Sequence, residues 1–193
     1  MDTLVFATNN KHKLREVREI TGTLMSIKSL SDIELDADIP ETQETIEGNA
    51  RQKARFIYEK TGMDCFADDT GLEIAALGGR PGVYSARYAG EGCSFADNVI
   101  KILEELQGIE DRSACFRCVI CLIYKGQEAI FEGRVDGEIT LDQSGAEGFG
   151  YDPVFRPEKQ SQTFAEMPAY LKNGLSHRGR AMQKMLQFLS QLQ

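Results

Sequence analysis

Apolar positions along the chain recur in short blocks, each closed by a polar or glycine-rich stretch. Thr3-Leu4-Val5-Phe6-Ala7 predicts a buried strand. A polar run, Thr8-Asn9-Asn10-Lys11-His12-Lys13, follows it. Leu14, Val17, Ile20 and Thr21 then mark a helical stripe, with Gly22 as its stop. Residues 25–35 predict a strand with ragged edges, and the acidic, Pro40-containing stretch 36–43 a loop. From Thr45 to Lys60, Ile46, Ala50, Ala54 and Ile57 share one face of an amphipathic helix that ends at Gly62. Cys65-Phe66-Ala67 predicts a short apolar strand running into Asp68-Asp69-Thr70-Gly71. Leu72–Leu77 and a glycine-rich loop, Gly78-Gly79-Arg80-Pro81-Gly82, come next. A helix opening near Ser94 should turn Phe95, Val99, Ile102, Leu103 and Leu106 inward. Residues 114–124 and 128–139 predict a hairpin turning at Lys125-Gly126-Gln127. A glycine-rich and acidic loop spans 142–152, and a helix from Ser176 presents Met182, Met185, Leu186, Leu189 and Leu192 on one side.

This alternation predicts an α/β chain with a mixed sheet. No tandem repeat, low-complexity segment or linker interrupts it, so residues 1–193 read as one domain. The 193 residues suffice for a real core, and 41% hydrophobic with 27% charged residues is ordinary globular composition. No apolar run approaches the roughly 20 residues that span a bilayer. Met1 to Ala7 carry no basic leader region, so the expected location is the cytoplasm.

The formal net charge of -8 argues against nucleic acid or an anionic membrane as partner. A small phosphate ligand remains open, provided that a few basic groups converge or a cation takes part. Five cysteines without a leader read as reduced thiols. Cys115, Cys118 and Cys121 invite a zinc reading. On a strand, however, residues three apart face opposite ways, and no fourth ligand is evident.

Asp68-Asp69 follows a buried strand, the place where α/β sheets meet their ligands. Two adjacent carboxylates there repel unless a proton or cation relieves them, and magnesium favours oxygen ligands. A turn or cap is the alternative of equal weight. Glu41 and Glu44 read first as helix-terminal charge. Asn10, Lys11 and Lys13, with the Thr8 hydroxyl, form a credible triphosphate cradle, although the P-loop pattern is absent. Lysines at a helix N-terminus oppose the macrodipole and call for an anion; a solvated first turn is the alternative. Gly148-Phe149-Gly150-Tyr151-Asp152-Pro153 joins a stacking ring to a carboxylate. Ser176-His177-Arg178 supplies donors, but no nucleophile elbow accompanies it, which disfavours a Ser-His-acid hydrolase.

Taken in order, these segments resemble the inosine/xanthosine triphosphate pyrophosphatase family. The resemblance is carried by Thr8-x-Asn10-x-x-Lys13, Glu41-Thr42, Asn49-Ala50 with Lys53-Ala54, and Ala67-Asp68-Asp69-Thr70-Gly71-Leu72. Leu77-Gly78-Gly79-x-Pro81-Gly82-x-Tyr84-Ser85-Ala86-Arg87-Tyr88, Gly148 to Pro153, and Ser176-His177-Arg178 complete it. Asn9 stands where glycine is common, Gly48 where glutamate is frequent, and Thr70 where serine is frequent.

The resemblance implies an elongated mixed sheet with helices around it, two lobes flanking a central substrate cleft, and a homodimer. It implies hydrolysis of ITP, dITP and XTP to the monophosphate and pyrophosphate, with Mg2+ as cofactor. Thr8, Asn9, Asn10, Lys11, His12, Lys13 and Lys53 would hold phosphates. Asp69 would accept the proton and bind the metal, with Glu41 a second metal ligand and Asp68 in support. Thr70 would touch substrate; Phe149, with Gly150 and Tyr151, would stack on the base; Asp152, Lys172, His177 and Arg178 would read its edge. The competing readings are a pyrophosphatase for other modified nucleotides and a nucleotide sensor without turnover.

Overall fold

The computed structural model describes residues 3–192. Met1 and Asp2, on which part of the leader reading rests, and Gln193 lie outside the described residues. Among the described residues, seven strands and five α-helices make a mixed α/β fold: β1 (Thr3–Phe6), α1 (Lys11–Thr21), β2 (Ser26–Lys28), α2 (Ile46–Thr61), β3 (Cys65–Ile74), β4 (Pro81–Gly82), α3 (Phe95–Glu105), β5 (Ser113–Tyr124), β6 (Gln127–Ile139), β7 (Phe155–Pro157), α4 (Ala169–Leu175) and α5 (His177–Ser190). The sheet order is β2-β1-β3-β5-β6-β7, with β4 paired to β3. β1 runs parallel to both β2 and β3, whereas β3 with β4 and β6 with β7 are antiparallel.

The chain packs as two compact units. Among the described residues, the first comprises 3–69, 118–133 and 177–192; the second comprises 70–117 and 134–176. Each has its own apolar core. In the first, Leu4, Phe6 and Phe66 pack with Val17 of α1 and with Met182, Met185 and Leu189 of α5. In the second, Leu72, Ile74, Val99, Ile102, Phe116, Phe155 and Phe164 cluster together.

Local chemistry sets the element ends. Asn10 caps α1, its side chain accepting from the amides of His12 and Lys13. Thr45 caps α2, which stops at Gly62 in the left-handed region. Ser94 and Asp97 close a capping box at the start of α3. Lys125 and Gly126, both at positive φ, make the two-residue turn between β5 and β6.

Four expectations are corrected. The strand expected over 25–35 is only three residues long; a left-handed 3-10 turn exit at Glu34 follows it, and the Asp32 carboxylate accepts from the Ser29 amide in competition with any ladder. β3 does not end at Ala67. It runs ten residues through both acids, Thr70 and Gly71. Phe95 is not inward: it is 41% exposed, one residue after the cap of α3. Leu192 lies past the end of α5 and is exposed.

Candidate active site

Because β3 continues through Asp68 and Asp69, their side chains leave on opposite faces of the sheet. The two acids therefore do not share one cation as a repelling pair. Each meets its own partners. Asp68 faces α1 and α5: Lys13 Nζ donates to Oδ1 at 3.0 Å and Arg178 Nε to Oδ2 at 2.9 Å. Asp69 faces α2: Lys53 Nζ donates to Oδ1 at 3.0 Å and Asn49 Nδ2 lies 3.4 Å from Oδ2.

The two carboxyls are driven apart electrostatically. Both lose solvation on burial, which raises a carboxyl pKa. At Asp68 the charges of Lys13, Arg178 and Lys53 overcome that penalty and hold the group far below the usual carboxylate range. At Asp69 burial wins over Lys53 and Lys13, Glu41 adds repulsion, and the pKa rises. Asp68 is thus held as an anion, while Asp69 keeps its proton more readily than a free carboxyl does. Divergent environments on neighbouring acids are the pattern that assigns proton-transfer roles.

Lys53 is buried on α2 and stands between two acids. Its ammonium donates to Glu41 Oε1 at 2.5 Å as well as to Asp69. Burial pulls its pKa down, but Asp69, Glu41 and Asp68 outweigh this and raise it, so Lys53 stays charged. Among the described residues, no group of three His, Cys, Asp or Glu side chains gathers closely enough to hold a metal alone. The donor set does fit magnesium, which is commonly held by one or two carboxylates, with waters and substrate phosphate filling the rest. Glu41 and Asp69 are brought together on one ammonium, and are the two carboxylates that would hold such an ion.

The strand-to-helix turn lies in the same unit. Thr8 Oγ1 accepts from the Asn10 amide, and Asn9 Nδ2 donates to Ala37 O. With the His12 and Lys13 amides taken up by the Asn10 cap, the cationic side chains supply this segment's attraction for an anion. Lys11 and His12 are exposed, whereas Lys13 turns back onto Asp68. Thr8, Asn9, Asn10 and Lys11 line one side of a cavity of about 440 Å³ closed by Ser29, Leu30, Ser31 and Glu34 to Asp36.

In the second unit, Asp152 is buried and its Oδ2 accepts from Lys172 Nζ at 2.6 Å and from the Phe149 amide at 2.8 Å. Lys172 Nζ lies 5.1 Å from the Phe149 ring centre, and Phe95 leans on that ring at 5.8 Å. Gly148 and Gly150 hold positive φ and shape this loop. Tyr151 is buried, with its hydroxyl donating to Ser85 O, and burial raises its pKa. Thr70 is half-buried on β3.

The two units divide the basic residues expected beside a base. Lys172 sits with Asp152 and Phe149. Arg178 belongs to the first unit, almost wholly buried, with Nη1 on Glu16 Oε2 at 2.5 Å besides its bond to Asp68. His177, also buried, is its neighbour at the start of α5. Glu16 and Asn49 were not anticipated as functional. A signal for the first was present: Glu16 lies next to Val17 on the inward side of α1, and Arg178 falls in step with Met182, Met185 and Leu189 on α5. Opposite charges on two apolar stripes mark a buried pair.

One thiol meets the site: Cys118 Sγ donates to Asp68 Oδ2 at 3.8 Å. Burial pushes Cys65 up to about 12 and Cys115 and Cys121 to about 11, as expected of inert core cysteines.

By fold and site, the chain is a mixed α/β protein with a buried lysine–carboxylate centre. It belongs to the Ham1 family, whose model matches residues 4–188. A dITP/XTP pyrophosphatase of Flavobacterium johnsoniae is 51% identical, covering 97% of each chain, and one of Porphyromonas gingivalis is 49% identical, covering 98% of each. Among solved structures, the Ham1 protein of Staphylococcus aureus superposes with a TM-score of 0.89 at 36% identity, covering 100% of both chains. A HAM1 protein from Coxiella burnetii gives 0.89 at 38% identity, covering 99% of this chain and 100% of that one.

Proposed function

We propose that this chain hydrolyses deaminated purine nucleoside triphosphates, ITP, dITP and XTP, to the monophosphate and pyrophosphate, removing them before polymerases use them. The observation that carries this reading is geometric: the buried Lys53 ammonium joins Asp69 to Glu41, while Lys13 and Arg178 hold Asp68 on the other face of β3. Full-length similarity to the two pyrophosphatases supports the same reaction.

Asp69 takes a proton from the attacking water, which adds at the α-phosphorus; the α–β bridging oxygen leaves on pyrophosphate. The Lys53 and Lys13 ammonium groups, with Lys11 at the helix start, cover the charge that develops on the phosphates. Asp68, held by Arg178, keeps Lys13 in place. Thr8, Asn9, Asn10 and His12 complete the phosphate segment, and Thr70, next along β3, offers a hydroxyl to substrate. Glu41 and Asp69 would hold Mg2+, whose chemistry is to neutralise phosphate oxygens and lower the barrier to attack.

The second unit supplies the base recognition. A 6-oxopurine presents an acceptor at O6 beside a donor at N1–H. The Lys172 ammonium and the Asp152 carboxylate, side by side at 2.6 Å, are the complementary donor and acceptor. Adenine presents the reverse order, leaving both groups mismatched in a desolvated site. Phe149, framed by Gly150 and backed by buried Tyr151, stacks on the ring. His177 and Arg178 brace the end of α5 that follows Lys172 in the chain.

Residues 1–193 act as one pyrophosphatase domain. The reading places it in the cytoplasm as a homodimer, with no nucleic-acid or membrane partner; the net charge of -8 disfavours polyanionic surfaces. The deciding experiment is a nucleotide panel with and without magnesium, scored for monophosphate and pyrophosphate. Rapid ITP turnover over ATP, dependent on magnesium, is the expected result. Equal rates on all purines, or release of inorganic phosphate instead of pyrophosphate, would sink the proposal.

A further inference from the structure

One face of α2 fastens a loop to itself in reverse order. Asn49, Gln52 and Lys53 stand at i, i+3 and i+4, on the same side of the helix. Asn49 Oδ1 accepts from the Gln43 amide at 2.9 Å. Gln52 Oε1 accepts from the Thr42 amide at 2.9 Å, and its Nε2 donates to Thr42 Oγ1 at 2.9 Å. Lys53 reaches Glu41. Successive helix positions thus hold residues 43, 42 and 41 like teeth of a zip.

Asn49 is only 1% exposed, and its amide is used at both ends. The oxygen takes the loop amide and the nitrogen is aimed at Asp69 Oδ2. Asn49 thereby joins Asp69 to the backbone of the loop that carries Glu41. Gly48 makes the approach possible: a Cβ there would stand 2.8 Å from Gln43 Cβ and 2.9 Å from Thr45 Oγ1.

We propose that Asn49, seconded by Gln52, is a positioning residue that locks the Glu41 loop and the Asp69 carboxylate into one rigid assembly. This rests on the reading of Asp69 and Glu41 given above, but the geometry of the lock can be measured without it. A shift near 1 Å at a reacting centre is enough to lower turnover by up to a hundredfold. Asn49 touches neither water nor phosphate in this reading; it acts through Asp69 and Glu41.

The test combines amide hydrogen exchange with steady-state kinetics on the full chain. In the wild type, the Thr42 and Gln43 amides exchange slowly despite lying in a loop. Asn49→Ala releases the Gln43 amide and lowers kcat on ITP roughly ten- to hundredfold, with KM within about twofold. Gln52→Ala releases the Thr42 amide, with a smaller loss of kcat. Gly48→Ala guards against simple unfolding: alanine favours the helix, by about 1 kcal/mol over glycine, yet its methyl pushes Gln43 away. It is expected to keep the melting temperature near wild type while losing Gln43 protection and kcat together. Unchanged protection in Asn49→Ala, or lost protection in Gly48→Ala with full kcat, overturns the proposal. A wild-type chain with protected amides but no ITP turnover would overturn the enzymatic reading and leave the lock standing as structure.

Discussion

Arg178 Nε donates to Asp68 Oδ2 at 2.9 Å between two side chains that are 2% and 1% exposed. Such a pair is anchored by what happens when half of it is removed. Removing one partner of a buried ion pair leaves charge less well compensated in an apolar setting. Arg178→Ala takes the guanidinium from Asp68, which keeps Lys13, and from Glu16. It should lower unfolding free energy by about 3–5 kcal/mol, measured by urea denaturation. A loss under about 1 kcal/mol, the scale of an exposed pair, would contradict the buried reading.

Asp69→Asn keeps the shape of the side chain and removes its basicity. Turnover of ITP should fall by about 10²–10⁴, with circular dichroism unchanged. Binding of the product IMP, followed by calorimetry, should survive. Near wild-type turnover would remove Asp69 from the proton-transfer role.

The acids also differ in how they tie stability to pH. Asp68 is depressed in the folded state. Its contribution is therefore present above the unfolded carboxylate value of about 3.9 and fades as pH falls through its folded value. Asp69 is raised. The folded state holds its proton more tightly, so stability from this group is full below about 3.9 and declines as pH climbs through its folded value. Denaturation curves over pH should show Asp68→Asn losing its deficit in strong acid. Asp69→Asn should flatten the decline on the other side. The acid limb of kcat/KM should likewise fall above the ordinary carboxylate range, because the base works only when ionised. Parallel pH curves for both variants would refute the split.

Phe149→Ala takes the stacking face from the base. A rise in KM for ITP of roughly 5- to 150-fold follows from the 1–3 kcal/mol that stacking contributes per base. The kcat should change less, since Asp69 and Lys53 are untouched. A mutant with intact KM would show that the purine does not rest on this ring.

Much of this was legible in the chain because the signals were local. Periodicity located α2, the β5–β6 hairpin and the cap at Ser94, each within a residue or two. The glycines and polar residues around Asp68-Asp69 were misleading. Thr70-Gly71 looks like a turn, but pairing along the sheet extends β3 through it, and that pairing is set by distant segments. The short α4, behind Pro168 and containing Gly174, has no strong helical stripe of its own. Lys11, Lys13, Asp68 and Asp69 stood out by residue type and place in the chain, whereas Lys53, Lys172 and a metal role for Glu41 came only with the family resemblance. Who pairs with whom was not legible: Lys13 with Asp68 spans 55 positions and Arg178 with Glu16 spans 162, and spacing says nothing at that range.

Neighbouring acids on opposite sides of one strand make the enzyme sensitive to slippage in a way that ordinary substitution does not reveal. Deleting a single residue between Cys65 and Asp68 would carry Asp69 into the place of Asp68, under Arg178, and Asp68 into the place of Ala67. Inserting one would instead carry Asp68 into the place of Asp69, beside Lys53. Either slip leaves the composition of β3 almost unchanged and removes the intended acid from its face.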